Sequence, residues 1–217
     1  MLWLLLGAAL IAGYGLGSLA FGVWVARTRG VDIFSVGSGN PGATNVKRTV
    51  GTGAGNLVFV LDFLKGALAT GWPLWVPWVH RHLGAGNAEM AAVAGLVGAI
   101  VGHSYSCFTR FRGGKGVASS LGGLIALCWP VALLGVAVWL VVFYSLRFVS
   151  LASILLAVSL PIWSWLLHES RFLTSFFVLL ALFIIVRHRS NIERLLNGTE
   201  GKFVKDKAAG RASDDDA

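Results

Sequence analysis

The chain contains little charge, few acidic residues and almost no cysteine. Only 13% of its 217 residues are Asp, Glu, Lys or Arg, whereas 56% are hydrophobic, and the mean hydropathy is +0.74. Soluble domains carry about 25% charged residues, so this composition excludes an ordinary soluble domain, a coiled coil and a disordered chain. The two cysteines, Cys107 and Cys128, are too few for a disulfide framework or a zinc cluster. The sequence is therefore typical of a polytopic membrane protein.

Apolar runs divide the chain into candidate membrane spans. They lie near residues 2–26, 54–79, 88–105, 117–146, 151–167 and 172–186. Backbone polar groups inside a bilayer must pair within their own segment, so we expect an all-α fold. Residues 2–26 carry no charge and no Lys or Arg precedes them, which predicts a retained first span rather than a cleaved signal peptide.

The run at residues 117–146 decides the number of spans, because it is either one long helix or two short helices broken near Pro130. With two helices, the 18 Lys and Arg residues lie on the cytoplasmic side except Arg81, Arg171 and the membrane-embedded Lys65. The positive-inside rule therefore predicts seven transmembrane helices, some of them short, with a periplasmic N-terminus and a cytoplasmic C-terminus. Each half of the run is too short to cross a core of about 30 Å upright, which leaves a re-entrant hairpin as the alternative.

We expect one membrane domain followed by a tail. Residues 1–204 form the predicted seven-helix domain, and residues 205–217 are charged, small and free of aromatic side chains, which predicts disorder. The net charge of +8 reflects membrane orientation, because a nucleic-acid-binding protein would need a basic face on a soluble domain. Membrane lipid is the expected partner, and we expect no nucleic acid and a monomer without an obligate protein partner.

Three polar segments interrupt the apolar runs, and the predicted topology places all of them on the cytoplasmic face. They are residues 37–48, 102–118 and 188–200. Even numbers of predicted spans separate them, so their side chains can converge on one site.

The segment at 37–48 has the features of an anion-binding loop. Glycine permits positive φ and close approach of the backbone, so successive N–H groups can form a concave donor site. The candidate phosphate-binding residues here are Gly37, Gly39, Asn40, Gly42, Thr44 and Asn45, and Ser38 lies among them. Arg48 adds a planar cation suited to phosphate. The alternative is a glycine-rich connector flanked by orientation-setting basic residues.

The segment at 102–118 places a lysine behind two glycines at the mouth of a helix. Gly113, Gly114 and Lys115 are candidate phosphate-binding residues, because a helix N-terminus attracts anions and lysine adds a point charge. The alternative for Lys115 is an interfacial lysine that marks the end of a span. We interpret His103 as a structural histidine at the interface.

The segment at 188–200 begins where the last span ends. His188, Asn191 and Arg194 recur at intervals of three, roughly on one helical face, and a histidine can titrate near neutral pH. The alternative is a juxtamembrane anchor whose apolar side lies on the bilayer.

Four further polar residues lie within or beside the predicted spans. Asp62 and Lys65 are three residues apart inside the membrane, where ionisable groups are a functional hypothesis but mutual pairing also explains them. We expect a structural pair that also faces the site. Ser150 and Ser153 begin the sixth span, where they cap a helix or bind a ligand, and we favour Ser153 as a ligand-binding residue.

Taken together, these segments resemble those of the bacterial acyl-phosphate:glycerol-3-phosphate acyltransferases, the PlsY family. The resemblance rests on GSGNPGATNVKR at 37–48, GHSYSCFTRFRGGKGVA at 102–118 and HRSNIERLLNGTE at 188–200, and it extends from about Ser35 to Phe203. One departure is Ser106, because the family usually has proline two positions before the phenylalanine matched by Phe108.

The resemblance implies an enzyme with seven transmembrane helices in the bacterial inner membrane. It would transfer an acyl group from acyl phosphate to the 1-hydroxyl of glycerol 3-phosphate, giving lysophosphatidic acid and inorganic phosphate for phospholipid synthesis. Neither acyl-CoA nor acyl carrier protein would be the donor, and no cofactor or metal is implied. The residues that match active-site positions of the family are His188, Asn191, Ser38 and Ser153.

This chemistry needs two phosphate sites and little covalent help. Arg48 and Lys115 supply the cations, and the protein must align the hydroxyl with the carbonyl and stabilise the oxyanion. Either His188 or a substrate phosphate takes the hydroxyl proton.

Two rival functions are a phosphate-ester transporter, which usually has repeats and a midplane site, and a lipid phosphatase, which usually has a carboxylate cluster for Mg²⁺. The sequence has neither pattern.

Overall fold

The computed structural model describes residues 2–203, and this part of the chain is built from ten α-helices. They are α1 (Leu2–Gly17), α2 (Phe21–Arg27), α3 (Ala43–Thr49), α4 (Thr52–Trp75), α5 (Pro77–Leu83), α6 (Ala85–Ser104), α7 (Val117–Leu146), α8 (Val149–Leu166), α9 (Arg171–Arg187) and α10 (Arg189–Leu196), with a short 3-10 helix at Cys107–Thr109. Residues 2–203 contain no β-strand, which confirms the all-α prediction. The tail predicted at 205–217 lies outside the described residues.

The first apolar run forms two helices, although the sequence predicts a continuous one over 2–26. α1 ends at Gly17 and α2 begins at Phe21. The Nζ of Lys65 donates to the carbonyl oxygen of Leu19 at 2.9 Å, so a buried cation satisfies a carbonyl at the break. Together the two helices still form one apolar segment of 26 residues.

α1 packs against α6 at backbone distance. A Cβ on Gly13 would lie 2.2 Å from the carbonyl oxygen of Gly95, and one on Gly17 would lie 2.1 Å from that of Ala99. Small residues let membrane helices approach this closely, so van der Waals packing supplies the attraction that the hydrophobic effect cannot supply in lipid.

α7 is interrupted where the sequence predicts a break. Cys128 has φ −152° and ψ 77°, far from helical values, two residues before Pro130. A proline ring disrupts the turn that precedes it, which explains this position. The Sγ of Cys128 lies 3.3 Å from Oε1 of Glu169, which follows the end of α8.

Both ends of α7 lie at one face of the molecule. Before α7, Lys115 donates a hydrogen bond to Asn191; after it, Ser150 donates to Glu200 at 2.6 Å. Asn191 also donates to Glu200, at 2.7 Å, which joins the two ends. The chain therefore enters α7 at this face, reverses at Cys128 and returns to the same face.

Five helical segments are long and apolar enough to cross a membrane, and a sixth arises if α9 and α10, which meet at 62°, form one bent span. The multi-pass membrane architecture predicted from the composition is thus confirmed. The interrupted α7 counts as one of the five segments.

A small apolar cluster holds the first polar segment in place. Val23 of α2, Ile33 of the following loop, Val46 of α3 and Val58 of α4 are each at most 2% exposed and pack together. Because Ile33 precedes the 37–48 segment and Val46 lies near its end, close packing in this cluster anchors both ends of the segment. A second cluster joins α6, α7, α8 and α9.

Candidate active site

The three polar segments meet at one cavity of about 370 Å³. The cavity is lined by Ser38, Asn40, Tyr105, Lys115, Val186, Arg187, Arg189, Ser190 and Arg194. The convergence expected from the sequence is therefore observed. The volume lies within the range of about 300–1,000 Å³ that is usual for small-molecule sites.

Asn45 shapes the loop that carries Ser38 into the cavity. Its Oδ1 accepts a hydrogen bond from the backbone N–H of Ser38 at 3.0 Å, and its Nδ2 donates to the carbonyl oxygen of Val36 at 3.1 Å. Gly37 and Gly39 have φ of 58° and 64°, values that favour glycine. A Cβ on Gly37 would lie 2.2 Å from Oδ1 of Asn45, so glycine is required there.

The next residues of this loop divide between the cavity and α3. Asn40 lines the cavity, and its Oδ1 accepts a hydrogen bond from the backbone N–H of Gly42 at 2.9 Å. Thr44 lies in the first turn of α3 and is not part of the cavity wall. Of the predicted donors, Asn40 and Ser38 therefore reach the cavity directly.

Arg48 lies exposed beside the cavity and holds the segment that follows α10. Its guanidinium donates to the carbonyl oxygen of Gly201 at 3.0 Å and lies 5.9 Å from the ring centroid of Phe203. The backbone N–H of Phe203 in turn donates to the carbonyl oxygen of Arg147 at 2.8 Å. Arg48 thus connects the first polar segment to the third.

The glycine turn before Lys115 is packed between a histidine and an arginine. The N–H of Gly114 donates to the carbonyl oxygen of His103 at 3.1 Å, and a Cβ on Gly114 would lie 2.1 Å from Nε2 of that histidine. On the other side, a guanidinium nitrogen of Arg187 donates to the carbonyl oxygens of Gly114 at 2.7 Å and Gly113 at 3.3 Å. The turn therefore delivers Lys115 to the cavity in a fixed position.

Asn191 is the centre of a hydrogen-bond network behind the cavity. Its Oδ1 accepts from Lys115, and its Nδ2 donates to Oε1 of Glu200 at 2.7 Å. The same oxygen of Glu200 accepts from Ser150 at 2.6 Å, while its Oε2 accepts from Nε of Arg194 at 2.7 Å. The predicted residues Lys115 and Asn191 are thus brought into direct contact.

The cavity is lined by cations, and the pKa values of Lys115 in its wall and of Glu200 in the network behind it are both shifted. Burial lowers the pKa of Lys115 to about 8; the Glu200 carboxylate opposes the change, and the charges of Arg194, Arg187 and Arg48 add to it. For Glu200, burial raises the pKa, but the three hydrogen bonds that the carboxylate accepts outweigh burial and lower it from its usual value.

His188 occupies the bend between α9 and α10. Its side chain is buried, and its Nδ1 lies 2.8 Å from the carbonyl oxygen of Ile184. The neighbours on either side, Arg187 and Arg189, line the cavity, whereas His188 lies behind the wall. The structure thus places His188 next to the cavity with its ring orientation fixed.

Ser153 is held inside the helix bundle. Its hydroxyl donates to the carbonyl oxygen of Val149 at 2.8 Å and accepts from Nε1 of Trp139 at 3.2 Å, so it ties α8 to α7. Ser150, one turn earlier, is the serine of α8 that reaches Glu200. The ligand-binding role of Ser153 stays a prediction.

Asp62 and Lys65 form the predicted pair, with 2.7 Å between Oδ1 and Nζ. The Nδ1 of His103 lies 3.5 Å from the same oxygen of Asp62. These side chains line a separate cavity of about 20 Å³ behind Gly113 and Gly114, which has room for about one water molecule. The pair therefore supports the glycine turn from behind and does not reach the larger cavity.

Sequence reasoning missed much of the cavity wall. The sequence pattern assigns Arg187 and Arg189 to membrane orientation and indicates no role for Tyr105, Ser190 and Glu200. The signal that could have found the arginines is their position on either side of His188, because a cation beside a candidate active-site residue is more than an orientation marker.

The cavity has the chemistry of an anion site. Its charged lining residues are Lys115 and three arginines, and neutral donors are supplied by Ser38, Asn40 and Ser190. No group of three or more His, Cys, Asp or Glu side chains within residues 2–203 is placed to hold a metal ion. Planar guanidinium groups and an ammonium group together suit phosphate monoesters.

Comparison with known proteins identifies what this arrangement resembles. The family model described as glycerol-3-phosphate acyltransferase matches residues 7–198. A glycerol-3-phosphate acyltransferase of Synechococcus sp. (strain JA-3-3Ab) is 43% identical over 204 residues, which cover 93% of this chain and 95% of that protein. Another, from Fusobacterium nucleatum subsp. nucleatum, is 40% identical over 199 residues, covering 89% of this chain and 96% of that protein.

Two solved structures share the fold. A crystal structure of PlsY (YgiH), an integral membrane glycerol 3-phosphate acyltransferase in its glycerol 3-phosphate form, superposes with a TM-score of 0.81 at 38% identity. It covers 92% of this chain and 96% of its own. The lysophosphatidic acid form of the same protein gives a TM-score of 0.78 at 37% identity, covering 92% of this chain and 95% of its own.

Proposed function

The chain belongs to the glycerol-3-phosphate acyltransferase family, and on this premise we propose where its substrates bind and which side chains act on them. It is an enzyme that transfers a fatty acyl group to the 1-hydroxyl of glycerol 3-phosphate, giving lysophosphatidic acid for phospholipid biosynthesis. The donor is acyl phosphate, so inorganic phosphate is the second product.

Both substrate phosphates bind in or beside the 370 Å³ cavity. Lys115, held in place by the turn at Gly113 and Gly114, binds one of them, and the loop from Ser38 to Arg48 binds the other. The observation that carries this assignment is the convergence of Lys115 and three arginines on one cavity that no carboxylate of residues 2–203 lines. Two dianionic substrates repel each other, so a cluster of cations is what their simultaneous binding requires.

The chemical step exchanges one C–O bond for another. The 1-hydroxyl oxygen of glycerol 3-phosphate attacks the acyl carbonyl carbon, and the bond from that carbon to the phosphate oxygen breaks. Phosphate is a good leaving group, so the protein contributes mainly alignment and stabilisation of the developing oxyanion. The hydroxyl and amide donors of Ser38 and Asn40, which line the cavity, are suited to that second task. Asn191 and Ser153 would join them only if their hydrogen bonds to Glu200 and Val149 open.

His188 is the candidate base for the hydroxyl proton. Since a carbonyl oxygen only accepts hydrogen bonds, the contact with Ile184 places a proton on Nδ1 and leaves Nε2 of the neutral ring as an acceptor. A histidine oriented in this way by a second hydrogen bond is a common arrangement for a general base. The alternative base is an oxygen of a substrate phosphate, with His188 holding the bend between α9 and α10.

The acyl chain lies between the helices, and the phosphates lie at the cytoplasmic interface of the bacterial inner membrane. Seven spans result if each half of α7 is counted as a separate span and α9 is counted as a further span. The reversal of the chain at Cys128 supports this count, and so does the clustering of Lys and Arg around the cavity. Residues 2–203 then form a single membrane domain that works as a monomer without cofactor or metal.

A product assay tests the proposal. Purified protein in detergent or lipid cubic phase receives palmitoyl phosphate and glycerol 3-phosphate, and phosphate and lysophosphatidic acid are measured together, with palmitoyl-CoA as a parallel donor. We expect the two products in equal amounts from the acyl phosphate alone. Lys115→Met should abolish turnover, and Lys202→Met, which changes a lysine outside the cavity, should not. Phosphate without lysophosphatidic acid, or turnover with palmitoyl-CoA, contradicts the proposed donor chemistry.

A further inference from the structure

Arg187 makes contacts that neither membrane orientation nor simple phosphate binding requires. It is the last residue of α9. Its guanidinium donates to the carbonyl oxygens of Gly114 and Gly113, 73 and 74 residues away in sequence, and its Cζ lies 5.0 Å from the ring centroid of Tyr105. The same side chain also lines the cavity.

These contacts connect the two residues on which the reaction depends. Lys115 follows Gly114 directly, and His188 follows Arg187 directly. A shift of Arg187 therefore moves the glycine turn relative to the bend between α9 and α10. In this way one side chain sets the separation between the phosphate-binding lysine and the candidate base.

The geometry requires an arginine in particular. One nitrogen of the guanidinium donates to both carbonyl oxygens, and the guanidinium carbon lies 5.0 Å from the centroid of the Tyr105 ring. A lysine ammonium is a compact charge on a flexible stem, so it lacks the planar group that fixes the donor between the carbonyl oxygens and the ring. Its buried Nε has no hydrogen-bond partner among the described residues. An unpaired buried donor costs roughly 1–3 kcal/mol, so a position selected for stability alone would favour another side chain.

We propose that Arg187 is a positioning residue of the acyl transfer, which fixes Lys115 relative to His188 by holding the carbonyl oxygens of Gly113 and Gly114. The inference rests on the proposed roles of Lys115 and His188. It predicts that the shape of the guanidinium, and not only its charge, is needed for full activity.

The charge of Arg187 has a second, separable effect on Lys115. The ionised groups that act on Lys115 are Glu200 beyond α10, Arg194 of α10, Arg187 of α9 and Arg48 of α3, and the three arginines all disfavour its protonated form. Removing the charge of Arg187 therefore raises the pKa of Lys115, whereas replacing arginine by lysine leaves it nearly unchanged.

Two substitutions separate shape from charge. Arg187→Lys keeps the charge and loses the planar guanidinium that lies between the two carbonyl oxygens and the ring of Tyr105, and Arg187→Gln loses both charge and plane. Arg29→Gln is the matched control, because it removes an exposed arginine outside the cavity. For each variant, kcat and KM are measured for both substrates, and the pH dependence of Lys115 acetylation is followed by mass spectrometry. The acetylation profile does not depend on turnover.

We expect kcat to fall on the order of a hundredfold in both Arg187 variants, the loss that a displacement of about 1 Å can cause, with little change in the unfolding temperature. The pH at which Lys115 acetylation is half-maximal should be higher in Arg187→Gln than in the wild type. It should be unchanged in Arg187→Lys and Arg29→Gln. Wild-type kcat and KM in Arg187→Lys would overturn the proposal, because shape would then be unimportant.

A milder variant covers the case in which neither Arg187 substitution folds. Tyr105→Leu removes the ring under the guanidinium and leaves Arg187 itself in place, so kcat should fall several-fold in folded protein. Wild-type kinetics for Tyr105→Leu, together with unfolded Arg187 variants, would make Arg187 a purely structural residue and overturn the proposal. Wild-type protein that is inactive with acyl phosphate would instead contradict the proposed donor, while the acetylation profiles would still test whether the charge of Arg187 acts on Lys115.

Discussion

The Nδ1 atom of His188 lies 2.8 Å from the carbonyl oxygen of Ile184, one helical turn earlier. This contact fixes the ring and assigns the proton of the neutral imidazole to Nδ1, so Nε2 is the only nitrogen that can accept a proton. The side chain is 3% exposed, which excludes bulk water from competing for that nitrogen.

His188→Ala should lower kcat by more than about a hundredfold if Nε2 takes the hydroxyl proton, since general bases contribute roughly 10²–10⁴-fold. Steady-state kinetics at saturating substrates measure the loss, and the unfolding temperature checks that the protein is folded. A loss of only a few-fold would assign the proton to a substrate phosphate and leave His188 a binding role.

Substrate affinity should decrease as the pH rises above about 8. Lys115 binds phosphate when protonated, and its pKa is lowered to about 8, so the neutral form prevails at higher pH. The KM for the substrate whose phosphate Lys115 binds should therefore rise towards tenfold per pH unit, because substrate phosphates are already dianionic above a pKa of about 6. Kinetics for both substrates between pH 6.5 and 10 test this, and KM values that stay flat to pH 9.5 would refute the assignment.

Lys115→Arg is the control for that profile. A guanidinium stays protonated in this range, so whatever activity remains should lose the alkaline rise in KM. Unfolding of the wild-type protein does not explain a rise in KM at high pH. The pKa of Lys115 is about 8 in the folded protein and 10.5 ordinarily, so between these values the unfolded chain binds more protons than the folded one. The contribution of Lys115 to the free energy of unfolding therefore increases as pH rises through this range.

Glu200→Gln should lower the unfolding temperature at neutral pH. The carboxylate accepts hydrogen bonds from Ser150, Asn191 and Arg194, and an amide cannot accept from all three with a full charge. Loss of charged hydrogen bonds in such a network costs about 1–3 kcal/mol. Glu193→Gln, an exposed glutamate of α10, is the matched control and should be neutral.

The effect of Glu200→Gln should depend on pH. Because the pKa of Glu200 is lowered in the folded protein, its stabilisation is present above the ordinary glutamate pKa and is lost as pH falls through the folded value. Thermal unfolding at pH 7 and at decreasing pH should therefore show the wild type approaching the variant. A constant difference across that range would mean that the ionised carboxylate is unimportant.

Ser106→Pro should destabilise the protein less than Ser106→Ala. The serine hydroxyl donates to the carbonyl oxygen of Ser18 at 2.6 Å and accepts from the N–H of Phe108 at 3.2 Å, and both variants lose these bonds. Its φ of −65° is the value that a proline ring imposes, so proline also lowers the entropy of the unfolded chain, by about 0.4–1 kcal/mol. Unfolding temperatures in detergent compare them, and an alanine variant as stable as the proline variant would contradict this.

The helical fold and the meeting of the polar segments could be predicted from the sequence because both follow from general constraints. Long apolar runs must be helical in lipid, and Pro130 marks the break that the structure places at Cys128. The break between Gly17 and Phe21 could not be foreseen, since no proline or charge marks it. It is accommodated by Lys65, 46 residues away from Leu19 in sequence.

The candidate site was predictable to the level of its segments but not of its contacts. Lys115 and Asn191 stand out in the sequence, and the structure joins them. The roles of Arg187 and Glu200 depend on partners far away in the chain, and a basic residue at the end of a span has the same sequence pattern whether it orients the protein or holds a turn. Side-chain contact, not residue type, distinguishes the two.

The close contact of α1 with α6 has an evolutionary consequence. Gly13 and Gly17 tolerate no side chain, because a Cβ at either would lie within 2.2 Å of a carbonyl oxygen of α6. Natural selection should therefore keep these glycines, although they take no part in chemistry. A substitution there should lower the amount of enzyme that accumulates in the membrane, while one at Lys115 should lower the activity of each molecule. Invariance across relatives alone would not tell these two kinds of position apart.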